Sequence, residues 1–244
     1  MKSISYFCKT SIVLAITALT FGCANTHHGD EHSFSYTEQG KWEFQSGNAQ
    51  SPIAIQHNNS KTMKDNGTIS LDYSPTIIDE EDNSHTIQVN SSGQAQINGR
   101  YFELLQFHFH SPSEHTLNGE YYPLEVHFVH NSQSGRLAVI GVFFTEGAAN
   151  PVFEKVLGNI KPGEKNTQVE SIEFTQLLPQ DKSYYHYLGS LTTPPLHENV
   201  EWYIMKTPIE VSSEQITHFQ KYYNGNNRTL QPINNRSVLF HQAN

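Results

Sequence analysis

Two short runs carry the chemistry-bearing residues of this chain: Gln106-Phe107-His108-Phe109-His110 and Glu125-Val126-His127. Side chains alternate between the two faces of a β-strand. Gln106, His108 and His110 therefore share one face, and Phe107 and Phe109 turn the other way, toward a core. In the second run Glu125 and His127 share a face, opposite Val126 and Phe128. If the two strands pair antiparallel, three imidazoles converge. Three neutral histidines suit a tetrahedral Zn²⁺ whose fourth position stays open for water, the arrangement of catalytic rather than structural sites. A ligand histidine donates its other ring N–H to a carboxylate, amide or carbonyl. Gln106 and Glu125, each two residues ahead of a histidine on its own face, are spaced for that task. A lone H-x-H reads as half-buried strand histidines; the third histidine and the two polar partners shift the reading to a metal.

Rigid strands must position these groups, and the rest of the sequence supplies them. Short apolar-alternating runs at Ile69 to Tyr73, Thr86 to Val89, Gln94 to Ile97, Leu104 to His110, Leu124 to His130 and Leu137 to Phe144 read as strands. Asn98-Gly99 is a hairpin signal. Helical periodicity is sparse. Pro151 to Leu157 reads as a short helix capped by Asn150. Ser212 to Tyr223 reads as a second, capped by Ser212 or Ser213 and ended by Gly225. These elements predict a mostly β single domain around a central sheet, with no linker dividing it.

With 244 residues and 36% hydrophobic content, the chain can bury one sizeable core. A formal net charge of -9 argues against nucleic acid or anionic membrane surfaces as partners. Lys2 and Lys9 precede the apolar run Ile12 to Phe21, which ends in Gly22-Cys23-Ala24, the pattern of an export signal. Two processing routes stay open: cleavage after Ala24 (signal 1–24), or lipidation of Cys23 (signal 1–22), for which Thr20-Phe21-Gly22 is a poor recognition sequence. Either route places the protein in the periplasm, free or lipid-anchored. Residues 25–33 read as a flexible polar stretch, and 34–244 as the catalytic domain. Cys8 and Cys23 are the only cysteines, so the exported domain has no disulfide.

The motifs together resemble the α-class carbonic anhydrases of the bacterial exported type. The resemblance rests on Gln50-Ser51-Pro52-Ile53, Gln106 to His110, Ser113-Glu114-His115, Pro123 to His130, Leu137 to Phe143 and Gly189 to Leu196 (GSLTTPPL). Weaker matches run through Trp202 and from Gln231-Pro232 to Arg236. The family fold implies a twisted, largely antiparallel sheet of about ten strands with the metal in a conical cleft. By the same resemblance, His108, His110 and His127 correspond to zinc ligands, and Gln106 and Glu125 to the residues that orient them. Thr192 corresponds to a gatekeeper hydroxyl that donates to Glu114, and His85 to a proton shuttle. Tyr36 and Thr193 match holders of the active-site water. Val129, Val139, Leu191, Val200 and Trp202 match the apolar wall that receives CO₂.

The activity this implies is reversible hydration of CO₂ to bicarbonate and a proton, through hydroxide held on zinc with a histidine carrying the proton away. CO₂ and bicarbonate are then the small-molecule partners. No nucleic acid is expected and no membrane unless Cys23 is lipidated; a homodimer stays open. His115 and His130 are expected to form core hydrogen bonds, and Tyr187 to support the Thr192 loop. One departure stands out. Many exported relatives join the region before Gln50 to the loop after Pro195 by a disulfide, and this chain has no cysteine there. A non-catalytic carbonic-anhydrase-like domain and an esterase are the competing readings; retention of all three histidines with Glu114 and Thr192 disfavours the first.

Overall fold

A computed structural model describes residues 34–43, 47–64, 66–73, 77–165, 167 and 173–243. The expected export signal and the polar stretch 25–33 lie outside the described residues. The first strands in chain order are β1 (Ala54–Ile55), β2 (Lys61–Thr62), β3 (Ile69–Asp72), β4 (Ile77–Asp82), β5 (Ile87–Ser91), β6 (Gln94–Ile97) and β7 (Arg100–His110). They are followed by β8 (Thr116–Leu117), β9 (Leu124–Asn131), β10 (Leu137–Glu146), β11 (Tyr184–Ser190), β12 (Glu198–Met205), β13 (Ile209–Val211) and β14 (Leu239–His241). Two helices, α1 (Pro151–Asn159) and α2 (Ser213–Gln220), complete the framework.

Among the described residues the main sheet has 12 strands, with the path β2-β14-β11-β12-β10-β9-β7-β5-β4. The surplus over the expected ten comes from short edge pieces such as β2, β13 and β14. Most pairs are antiparallel, but β10 pairs β12 and β13 in parallel, so the sheet is mixed. A parallel pair needs a crossover connection, and the segment from α1 to β11 provides it between β10 and β12. The Asn98-Gly99 signal forms the β6–β7 hairpin, with φ of 50° at Asn98 and 75° at Gly99. Positive φ at both central residues is the geometry that suits the twist of a two-residue hairpin.

The strands sort their side chains by face. On one face Phe107, Phe109, Val126, Phe128, Ile140 and Val142 pack into the larger core, covered by Val152, Phe153 and Val156 of α1 and by Phe219 of α2. On the other face Val139, Phe143, Tyr187, Val200 and Trp202 form a second cluster beside the histidines. Asn150 caps α1, its Oδ1 accepting from Val152 N and Phe153 N at 3.0 Å each. Ser212 caps α2 in a reciprocal capping box with Gln215. That helix ends at Gln220, earlier than expected. Gly225, at φ 83°, instead donates its N–H to Ser111 O.

Two buried carboxyls outside the cleft differ in partners. Glu201 receives Arg100, Arg136 and Tyr203; burial works against its charge, but these donors hold its pKa at about 2. Glu80 sits on β4 opposite Val89, 2% exposed, and neither carboxyl oxygen has a partner. Burial alone pushes its pKa up to about 8. A carboxyl raised from 4.5 to about 8 contributes its full stability below pH 4.5 and loses it as pH rises through that window. Glu80→Leu should therefore raise the melting temperature at pH 8 by several degrees, at about 2–4 °C per kcal/mol for a chain of this size. It should also flatten the decline in stability between pH 5 and 8; thermal melts across that range with the wild-type slope retained would refute this.

Candidate metal centre

The antiparallel β7–β9 pair sets His108 directly opposite His127, and His110 opposite Glu125. Their ring centroids lie 4.6 to 5.3 Å apart. Hydrogen-bond partners fix each tautomer, because a carbonyl or carboxylate oxygen can only accept. His108 Nδ1 donates to Gln106 Oε1 at 2.8 Å. His110 Nδ1 donates to the backbone oxygen of Asn226 at 2.7 Å. His127 Nε2 donates to Glu125 Oε1 at 2.8 Å. The free lone pairs are then His108 Nε2, His110 Nε2 and His127 Nδ1. Each of the three residues offers a ligand atom within 4.8 Å of the others. His110 Nε2 is buried without any partner, a cost that a cation would remove. Burial first, then the neighbouring His110 and His127, push the His108 imidazole well below its usual pKa, which keeps it neutral. His110 is lowered by burial in the same sense. This donor set fits Zn²⁺ in a site with one open position. A second cluster, His115, Glu125 and His127, has the spacing for a metal, but its atoms are committed to each other.

Glu125 is the centre of the support. Its Oε1 accepts from His127 and from His115 Nδ1, each at 2.8 Å, and its Oε2 accepts from the backbone N–H of Glu114 and His115 at 2.8 and 2.9 Å. Burial works against its charge, but His115 and His127 hold its pKa well below the carboxylate range. His115 Nε2 meets the Tyr187 hydroxyl at 2.7 Å, and that hydroxyl meets Ser51 Oγ at 2.8 Å. Tyr187 thus supports the segment that opens the Thr192 loop. Gly141 on β10 lies opposite His127. A Cβ there would come within 3.1 Å of Glu125 Oε1 and 2.6 Å of the Ile204 side chain, so only glycine leaves room for the carboxylate.

The structure brings most of the expected site residues together and differs at specific contacts. Val129, Val139, Leu191, Val200 and Trp202 belong to one apolar cluster, with the Trp202 ring 4.9 Å from that of His127. Thr193 O closes the turn to Leu196 N at 2.9 Å. Burial first, and then the neighbouring Glu114, raise the pKa of Tyr36. The hydrogen bond expected from Thr192 to Glu114 is not formed. Glu114 Oε1 accepts from Arg228 N at 2.7 Å, while Oε2 is buried without a partner, 3.9 Å from His127 Nδ1. Backbone coordination of Oε1 by the C-terminal loop turns the free oxygen toward the triad. His85 lies in the β4–β5 connection, stacked on Phe34 at 3.7 Å and 14°. His130, on the opposite face, accepts the Tyr73 hydroxyl at 2.6 Å and donates to Ala138 O.

Sequence reasoning missed Asn226, Arg228 and Gly141. Asn226 holds His110 by its carbonyl while its side chain donates to His85 O and Phe109 O at 3.0 Å each. The contacts of Asn226 to His110 and of Arg228 to Glu114 run through main-chain atoms, which leave no side-chain signature; the glycine inside an apolar strand was a signal of close approach.

Residues 36–242 match the family model described as eukaryotic-type carbonic anhydrase. The chain is 40% identical over 203 residues to a carbonic anhydrase of Nostoc sp., covering 80% of this chain and 76% of that protein. It is 35% identical over 245 residues to a carbonic anhydrase of Pectobacterium atrosepticum, covering 95% and 98%. It superposes on the alpha-carbonic anhydrase of Thermovibrio ammonificans, solved with the inhibitor sulfanilamide, with a TM-score of 0.76 and 42% identity, covering 79% of this chain and 87% of that one. With residues 36–242 matched and the fold shared, the chain belongs to the α-carbonic anhydrase family, whose members are lyases.

Proposed function

We propose that this protein catalyses the reversible hydration of CO₂ to bicarbonate and a proton, with zinc held by His108 Nε2, His110 Nε2 and His127 Nδ1. The observation that carries the reading is the convergence of three lone pairs, each left free by a fixed hydrogen bond on the opposite ring nitrogen, with His110 Nε2 buried and unpartnered. Zinc in such a site supplies a Lewis acid and a water acidic enough to ionise near neutral pH, a general property of carbonic anhydrase centres. The remaining work falls to the chain. Gln106, Asn226 and Glu125 hold the ligand rings. The wall of Val129, Val139, Leu191, Val200 and Trp202 offers CO₂ an apolar surface with no competing hydrogen bonds. Glu114 Oε2 presents a buried acceptor to the cleft, and the Thr192 hydroxyl is the donor we assign to it when substrate is bound. Tyr36 and Thr193 order water at the rim. His85 carries the product proton to buffer, as suits a side chain whose charge changes near physiological pH. Its main chain is tied by Asn226 to the loop that holds His110, which keeps the β4–β5 connection in step with the ligand strand.

The N-terminal pattern supports export to the periplasm, by signal cleavage after Ala24 or lipidation at Cys23. Among the described residues no helix is long and apolar enough to cross a membrane.

Stopped-flow hydration of CO₂ by the mature domain should be abolished by chelation and restored by zinc. A folded, zinc-loaded sample without activity would falsify the reading and favour a binding domain. Thr192→Ala should slow hydration on the order of a hundredfold, as loss of one oriented polar group does, with zinc content unchanged. Wild-type turnover in that variant would remove Thr192 from the mechanism. His85→Ala should slow turnover chiefly in dilute buffer, with imidazole restoring it; a rate indifferent to buffer would assign the shuttle elsewhere.

A further inference from the structure

Gln50 lies outside the metal centre, yet it is 4% exposed and both ends of its carboxamide are hydrogen-bonded. Nε2 donates to Leu196 O at 3.2 Å and to Glu198 Oε1 at 3.1 Å. Oε1 accepts from Arg228 Nη1 at 2.8 Å; Ser190 Oγ stands 3.4 Å away and donates its proton to Leu191 O at 2.6 Å. Both N–H donors of the amide and its oxygen are therefore paired. Its partners belong to two separate pieces of the cleft. Ser190, Leu196 and Glu198 bracket the loop that carries Thr192. Arg228 belongs to the C-terminal loop, and its backbone N–H is the 2.7 Å donor to Glu114 Oε1.

The loop needs such a tie. Leu196 has φ of 61° and Asn199 of 69°. A bulky residue in the left-handed region is strained and persists only where its surroundings over-determine it. The Leu196 carbonyl is held by Gln50, and its N–H by Thr193 O at 2.9 Å. Neighbouring contacts reinforce the same joint. Ala49 N donates to Glu198 Oε1 at 2.8 Å, and Ser51 exchanges hydrogen bonds with Ser190 at 2.9 and 3.0 Å. The Glu198 carboxylate also fills the space where a Cβ of Gly47 would stand.

We propose that Gln50 is a positioning residue for hydration: its carboxamide sets the Thr192 hydroxyl relative to the Glu114 carboxylate by joining the loop of one to the loop of the other. This rests on the function proposed above. Misplacement of a catalytic group by about 1 Å through a distant change can cost on the order of a hundredfold in rate. Gln50 acts only through placement, so its removal should matter only while Thr192 has a hydroxyl to place.

The test is a double-mutant cycle on the zinc-loaded enzyme, reading kcat/KM for CO₂ hydration and bound zinc for wild type, Gln50→Met, Thr192→Ala and the double variant. We expect Gln50→Met to lose about tenfold to a hundredfold with zinc retained, and to lose little further in the Thr192→Ala background. A merely structural role would cut both backgrounds equally, and that additivity overturns the proposal. Gln50→Glu keeps the shape and the Arg228 contact but removes both donors to the Thr192 loop. It should reproduce the loss and the coupling, and it serves alone if Gln50→Met does not fold. Wild-type activity in Gln50→Glu would also overturn the proposal. An inactive zinc-loaded wild type overturns the function and this inference together, whereas an active wild type with additive losses overturns the inference alone.

Discussion

The centre depends on one buried carboxylate. Glu125 is fully enclosed, and an unpaired charge there would be prohibitive. Four N–H groups meet its two oxygens, from the His127 ring, the His115 ring and the backbone of Glu114 and His115. This answers the solvation cost and has structural results. The His127 proton is fixed on Nε2, so the nitrogen facing the cleft is Nδ1. The chain at Glu114-His115 is drawn against β9, which places the Glu114 side chain beside the same ring, with Oε2 3.9 Å from Nδ1. A single anion therefore orients a ligand and locates the acceptor next to it. The glycine on the neighbouring strand, Gly141, is the steric condition for that arrangement.

How far the molecule was legible follows from which residues speak for themselves. The ligand strands were readable because half of each is hydrophobic and half polar, and the phase of the alternation names the face. Gln106 and Glu125 could be paired with their histidines by spacing alone. The strands β11 and β12 gave no such pattern. Tyr184 to Tyr187 and Val200 to Met205 are nearly all buried on both faces, so the periodicity that marks a half-exposed strand is absent. The acidic run of β4 lacks the apolar alternation of the strands read from sequence, yet Glu80 turns inward. Contacts made by carbonyls and amides across more than a hundred residues, as from Asn226 to His110 and from Arg228 to Glu114, have no local signal at all. Thr192 was visible in its loop motif, but its relation to Glu114 depends on how two distant loops are held, and the structure leaves that hydrogen bond unmade.

The cleft is assembled from four parts: the paired β7 and β9 strands, the Gln50-Ser51 segment, the Thr192 loop and the C-terminal loop. Cys8 and Cys23, the only cysteines of the chain, both precede the described residues, so polar contacts do the joining here. Gln50, Ser51 and Glu198 join the second and third stretches, and Arg228 joins the fourth. These are buried, directional and mutually satisfied bonds, the condition under which a polar network rigidifies rather than weakens a fold.

The division of the central sheet into two faces interleaves two vocabularies in one stretch of text. In 106–110 and 125–128 the letters for metal chemistry and the letters for cohesion alternate, Gln, His, His, Glu, His against Phe, Phe, Val, Phe. Each set answers to a different demand, polar contact on one side and packing on the other. The frame that keeps them apart is a single residue wide. A slip by one position would deliver imidazoles to the oily side and benzyl groups to the cleft, so one residue inserted or deleted within either run exchanges the two faces at a stroke.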